Sequence, residues 1–190
     1  MTFITDTLSN ARKQFEYYKL LGEKTMAQLQ DDELYWQYNQ ASNSIAIIVK
    51  HLAGNMLSRW TDFLTSDGEK IWRERESEFD NDLADRKTIM EVWNNGWSCL
   101  FTALDSINES NFDKTVYIRN QGHSAVEAIH RQLAHYSYHV GQMVYIGRMI
   151  RGDDWNSLSI PRGKTSSYNR EKFSHGPRKE HFTDEWLKSS

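Results

Sequence analysis

Arg131-Gln132-Leu133-Ala134-His135-Tyr136-Ser137-Tyr138-His139-Val140-Gly141-Gln142 places two imidazoles four residues apart inside a helical pattern. Positions i and i+4 sit one above the other on a helix face, about 6 Å apart at Cβ. Two rings at that spacing can reach one metal ion, as in the helical zinc-binding pair of metalloproteases. Tyr136 stands where those proteases carry a general-base glutamate, so a metal here would serve a different chemistry. Ala128, Gln132, His135, His139, Gln142 and Ile146 share one side of the helical wheel. Ile129, Leu133, Tyr136, Val140 and Met143 form the adjacent apolar stripe. The histidines thus border the core, where a polar group needs a partner. A metal is one such partner; a tyrosine hydroxyl, a carboxylate or a backbone carbonyl is another.

The chain around this stretch has 190 residues, enough for one domain with a sizeable core. Seven Trp, nine Tyr and eight Phe supply the bulk, and only two prolines and ten glycines interrupt it. Long amphipathic patterns dominate and predict an all-α fold. The net charge is −3 with His neutral and no basic block stands out, which disfavours a nucleic-acid partner. No apolar run approaches a bilayer span, and the first ten residues lack the apolar stretch of a signal peptide. Cys99 is the single cysteine, so no intrachain disulfide is possible; its place between apolar helical positions reads as a packed, inert thiol. A cytoplasmic protein is expected.

Four helices follow from the periodicity. The first is expected from about Thr5 to Leu29, on Ile4, Leu8, Ala11, Phe15 and Tyr18. After a loop over residues 36–44, the second runs from Ser44 to about Leu64, with Asn43 or Ser44 as its cap. His51 lies within its apolar arc, and Asn55, Arg59 and Asp62 fall on the same side. Such groups go inside only when paired. They form either an Arg59–Asp62 pair with a hydrogen-bonded core histidine, or the lining of a polar cavity. The charged run over residues 69–85 reads as a solvated connection with a turn near Trp72. The third helix spans about Arg86 to Ile107, and Gly96 beside Trp97 suggests a close helix approach. Thr115-Val116-Tyr117-Ile118 reads as extended. Ser124 then caps the fourth helix, with Glu127 at capping-box spacing, and the helix runs to Met149 or Arg151. Residues 1–151 would form the helical domain. Residues 152–190 would be an irregular tail, anchored by Trp155 and Ile160 and mobile at its end. His123, at the entry to the fourth helix, reads as structural, and His175 and His181 lack helical spacing to another ligand.

Four amphipathic helices in order predict a four-helix bundle, whose sites are built from facing helices. His51 would then meet His135 and His139. Three protein nitrogens and an open position are the signature of a catalytic metal site. A His in the second helix followed by His-x-x-x-His in the fourth resembles the DinB-like superfamily of bacterial proteins. Ser44-Ile45-Ala46-Ile47-Ile48-Val49-Lys50-His51-Leu52-Ala53-Gly54-Asn55 is similar to its second-helix motif, and residues 131–142 to its fourth. The resemblance spans roughly Thr5 to Arg151. It implies an up-down-down-up bundle, nickel or zinc on His51, His135 and His139, and frequent homodimers. Asp67-Gly68-Glu69-Lys70 and Ser159-Ile160-Pro161-Arg162-Gly163 look like an uncharacterised branch.

Some members of that superfamily transfer low-molecular-weight thiols such as bacillithiol or mycothiol. The first functional expectation is therefore a metal-dependent thiol transferase acting on a small-molecule substrate, with Arg59 offering charge to an anionic one. A bound metal would lower the thiol's pKa and hold a thiolate. Metal-assisted hydrolysis ranks lower, since no carboxylate base lies beside the histidines in sequence. A metal-binding or stress-related protein without turnover is the third reading.

Overall fold

The computed structural model describes residues 2–188. It is mostly helical, with six α-helices and one two-stranded sheet among those residues. Helix α1 spans Phe3–Met26, α2 Ile45–Trp60, α3 Arg86–Asp105 and α4 Ala125–Arg151. Strands β1 (Thr115–Ile118) and β2 (Gln121–Ser124) precede α4, and α5 (Thr165–Ser174) and α6 (Asp184–Leu187) follow it. No helix among the described residues is long and apolar enough to cross a membrane.

The four long helices start the same way. Thr2, Ser44, Asp85 and Ser124 each accept, on the side chain, the N–H of the residue three positions on. Such a cap is worth about 1 kcal/mol. At Ser124 the Glu127 carboxylate returns the bond, completing the expected capping box. Thr2 starts α1 ahead of Thr5, and the helix ends at Met26, short of Leu29. Helix α2 also stops early, at Trp60 rather than Leu64. Thr61 is extended and Asp62 takes a left-handed φ of 49°, which no helix continues through.

The core lies where these helices meet. The Phe15 ring sits 6.3 Å from both Trp60 and Trp97 and 5.9 Å from Tyr136, so α1, α2, α3 and α4 each contribute a ring. Helices α2 and α3 approach closely at Gly96, where a Cβ would lie 2.9 Å from the Ala53 Cα. The close approach expected there is present. Ladders of contacts give the helix directions. Arg12 of α1 reaches Phe101 and Asp105 at the end of α3, whereas Arg86 at its start reaches Met26. Helices α1 and α3 are thus antiparallel. On α2, His51 meets His135 and His139 while Asn55 and Trp60 meet Tyr136, so α2 runs against α4.

The extended stretch at 115–118 is half of a hairpin that the sequence reading did not complete. Thr115 pairs with Ser124 and Ile118 with Gln121. Arg119 and Asn120 turn the chain with φ of 54° and 60°, the two positive values of a type I′ turn. Asp67 accepts both of their N–H groups, at 2.8 and 2.7 Å, and so ties the loop after α2 to the hairpin tip.

Two expectations are corrected. The tail is not irregular: it holds α5 and α6, and its far part is anchored. Lys13 of α1 bonds Asp184 at 2.6 Å, the Tyr17 and Phe182 rings lie 5.9 Å apart, and Thr183 is fully buried. Nor is the 69–85 run simply solvated. The expected turn at Trp72 is present, closed by the Arg73 N–H on the Lys70 carbonyl, and Trp72 is 56% exposed; but a second turn follows at Glu76–Phe79, and the Arg73 and Glu78 side chains are buried, Glu78 against α2. Mixed-sign charges can neutralise one another inside as readily as they can be solvated outside, and composition does not distinguish the two.

Candidate metal centre

Ser44 fixes the start of α2 and thereby the phase that turns His51 inward, where it is 6% exposed. The capping box does the same for α4, which carries His135 and His139, both partly buried. The three Nε2 atoms converge. His135 Nε2 lies 3.4 Å from His51 Nε2 and 3.1 Å from His139 Nε2, and all three ligand atoms fall within 4.8 Å of one another. Zn–N bonds of about 2.0–2.1 Å in a tetrahedron would separate two nitrogens by about 3.3–3.4 Å.

The opposite ring nitrogens fix the tautomers. His51 Nδ1 lies 2.9 Å from Glu78 Oε2, and an ionised carboxylate only accepts, so Nδ1 carries the proton. His139 Nδ1 donates in the same way to Gln142 Oε1 at 2.8 Å. Both rings therefore present a bare Nε2 lone pair to His135. One proton on His135 Nε2 cannot serve two acceptors well, whereas one cation satisfies all three nitrogens. The donor set thus fits a divalent transition metal that accepts imidazole.

Electrostatics agree with ligation. Burial, then the neighbouring His139 and His51 rings, then Arg59 and Arg73, push His135 down to about 3. Burial also lowers His139, against the opposing bond to Gln142. Both rings are neutral at physiological pH, the form that binds metal.

Behind His51 a chain of ion pairs runs outward from the buried Glu78 to the exposed Arg119. Arg73 grips Glu78 with two bonds, at 2.7 and 2.9 Å. It also lies 3.5 Å from Glu69, which meets Arg59 at 3.0 Å and Arg119 at 3.2 Å. Burial pushes the Glu78 carboxyl up, but the bonds from His51 and Arg73 outweigh this and hold it below the usual carboxylate range. Arg59 is buried two turns beyond His51; besides Glu69 it donates to the Gly68 carbonyl, and it makes no pair with Asp62.

The remaining candidates lie elsewhere. Arg131 bonds His123, and His130 and His175 are exposed. His181 bonds Thr183 in the tail. Cys99 is partly buried, with Sγ 3.6 Å from the Thr61 hydroxyl. Glu78, Arg73 and the Phe79 ring stacked 5.1 Å from His51 were missed from sequence. A signal was available in Gly54, three residues after His51, since a helical glycine often marks a neighbour pressed against the backbone.

A mainly helical protein with three converging imidazoles on two facing helices is the class that fold and site define. The chain belongs to the family described as "Protein of unknown function (DUF1572)", which matches residues 2–164 and so includes every residue of the cluster. No curated protein and no solved structure matches it.

Proposed function

We propose that this chain is a DinB-like four-helix protein that holds one divalent transition metal, zinc or nickel, on His51, His135 and His139 and uses it in low-molecular-weight thiol transfer. One observation carries the metal reading: three Nε2 atoms face one another while Glu78 and Gln142 hold the protons of His51 and His139 on the far nitrogens. The bundle reading draws support from helix directions, with α3 antiparallel to α1 and α2 antiparallel to α4. That pattern suits an up-down-down-up order.

A bound dication would supply the charge that turns a thiol into a thiolate at neutral pH. The chain's own groups would do the rest. A cleft of about 500 Å³, lined by Ile48, Tyr138, Gly141, Gln142, Tyr145 and Ile146 with residues 41–43, includes none of the three histidines but adjoins His139 through Gln142, which bonds its Nδ1, and through the Tyr138 ring. It carries no charged side chain and suits an uncharged, partly aromatic electrophile. Glu78 is engaged at both oxygens, which leaves it no role as a free base, and so the hydrolytic reading gains nothing. A homodimer belongs to the same proposal, and sedimentation of the purified protein checks it.

Metal content is the primary test. Protein purified without a metal-affinity column should carry about one zinc or nickel per chain by elemental analysis. Replacing His51, His135 or His139 by Ala should each remove most of the affinity, and the losses should not add, because the second change acts on a broken site. His123→Ala and His130→Ala should leave the metal in place. Protein that carries no metal and takes up neither zinc nor nickel would sink the proposal. Turnover with bacillithiol and a simple electrophile then tests the thiol step, and a full metal site without thiol-dependent turnover would overturn that part alone.

A further inference from the structure

Glu78 occupies a niche that the sequence prepares for it. A Cβ built on Gly54 would lie 2.7 Å from the Glu78 Cδ and closer still to Oε1. Any other residue at 54 would therefore displace the carboxylate. Glutamate ends usually swing aside cheaply, but this one is held at three points. Arg73 donates to both oxygens, and His51 Nδ1 lies 2.9 Å from Oε2. The Phe79 ring stacks over His51 and is itself covered by the Arg75 guanidinium at 5.2 Å. The segment 73–79 thus packs onto α2 through one ring and one carboxylate, and both meet His51.

We infer that Glu78 is the positioning residue of the metal centre: fixed by Arg73 and admitted by Gly54, it sets the tautomer, the orientation and the donor strength of His51. The inference rests on the metal reading proposed above and assigns the second half of the site to a loop that supplies no ligand. A carboxylate that accepts the outer N–H of a ligating imidazole raises its basicity, and loss of such a partner usually costs 10–100-fold in metal affinity. Gln142 plays the weaker, neutral version of this part for His139.

The test is competition of zinc against a chelator on the full chain, for wild type, Glu78→Gln, Gly54→Ala and His51→Ala, singly and paired. Glu78→Gln should bind zinc about 10–100-fold more weakly. Gly54→Ala should lose a similar factor although alanine favours the helix. The two losses should not add, since both act on the same bond. In the His51→Ala background, Glu78→Gln should cost nothing further, which a merely structural carboxylate would not predict. Visible absorption of the cobalt-loaded protein should shift in Glu78→Gln, because one imidazole becomes a weaker donor. Wild-type affinity in folded Gly54→Ala and Glu78→Gln would overturn the inference while leaving the histidine site standing. If Glu78→Gln does not fold, Gly54→Ala decides alone. A wild type that binds no metal would instead sink the metal reading, and this inference with it.

Discussion

Tyr136 sits beside His135 in the chain, yet its side chain belongs to the opposite concern. Its hydroxyl accepts the Trp60 indole N–H at 3.0 Å and donates to Asn55 at 3.1 Å, fully buried. Burial raises its pKa, so it stays protonated and keeps both bonds. Tyr136→Phe would strand a buried indole N–H and amide oxygen, at a cost of about 1–3 kcal/mol. Urea unfolding should show that loss, with metal content unchanged, because the hydroxyl bonds none of the three histidines. The sequence placed Tyr136 correctly in the apolar stripe, but the pairing with Trp60 and Asn55 depends on two helices meeting and has no local signature. The same limit hid Glu78. His51, His135 and His139 could be read because helical spacing is local, whereas the carboxylate partner of His51 comes from a loop whose composition reads as solvated.

Elements differ in how far their chemistry is local. The caps of α2 and α4 were legible, because Ser44 and Ser124 act on amides three residues away. The end of α2 was not, since Asp62 turns left-handed and its carbonyl accepts the Thr65 and Ser66 N–H groups without a glycine to mark the turn. Gly96 tests the α2–α3 contact directly. Gly96→Ala should destabilise the protein by about 1–3 kcal/mol in thermal or urea unfolding, the cost of forcing a methyl into a packed face. Improved stability would show that the helices can part. The loop after α2 is held by Asp67. Burial raises its pKa, but the N–H bonds from Asn120, Glu69 and Arg119 outweigh this, so the folded value lies below the ordinary one. The folded state therefore binds fewer protons, and this contribution is whole above the unfolded pKa of about 3.9 and drains away as pH falls through the folded value. The stability gap between wild type and Asp67→Asn should be full near neutrality and close on acidification. A gap that stays undiminished as the pH is lowered well past the unfolded pKa would mean that the charge is not what holds the loop.

The whole molecule divides its labour unevenly. The His51, His135 and His139 imidazoles, Glu78 and the aromatic core lie within the family-matched residues 2–164, whereas α6 and the Phe182 ring before it dock on α1 through Lys13 and Tyr17, and α5 joins α6 through Tyr168, Lys172 and Glu185. A chain ending at residue 164 should therefore keep its metal while melting at a lower temperature, measured by calorimetry beside elemental analysis. Loss of the metal on truncation would show that the tail supports the site from a distance. The meeting of core and site has one more consequence. Trp60 is bonded to Tyr136, whose ring lies 5.5 Å from that of His135, and Trp97 packs on the same tyrosine at 5.9 Å. Two of the seven indoles thus stand one ring away from the imidazoles, shielded from water. An open-shell ion such as Cu(II) held there would drain their excited states, while closed-shell Zn(II) would not, so the protein carries a native fluorescent reporter of which metal it has taken.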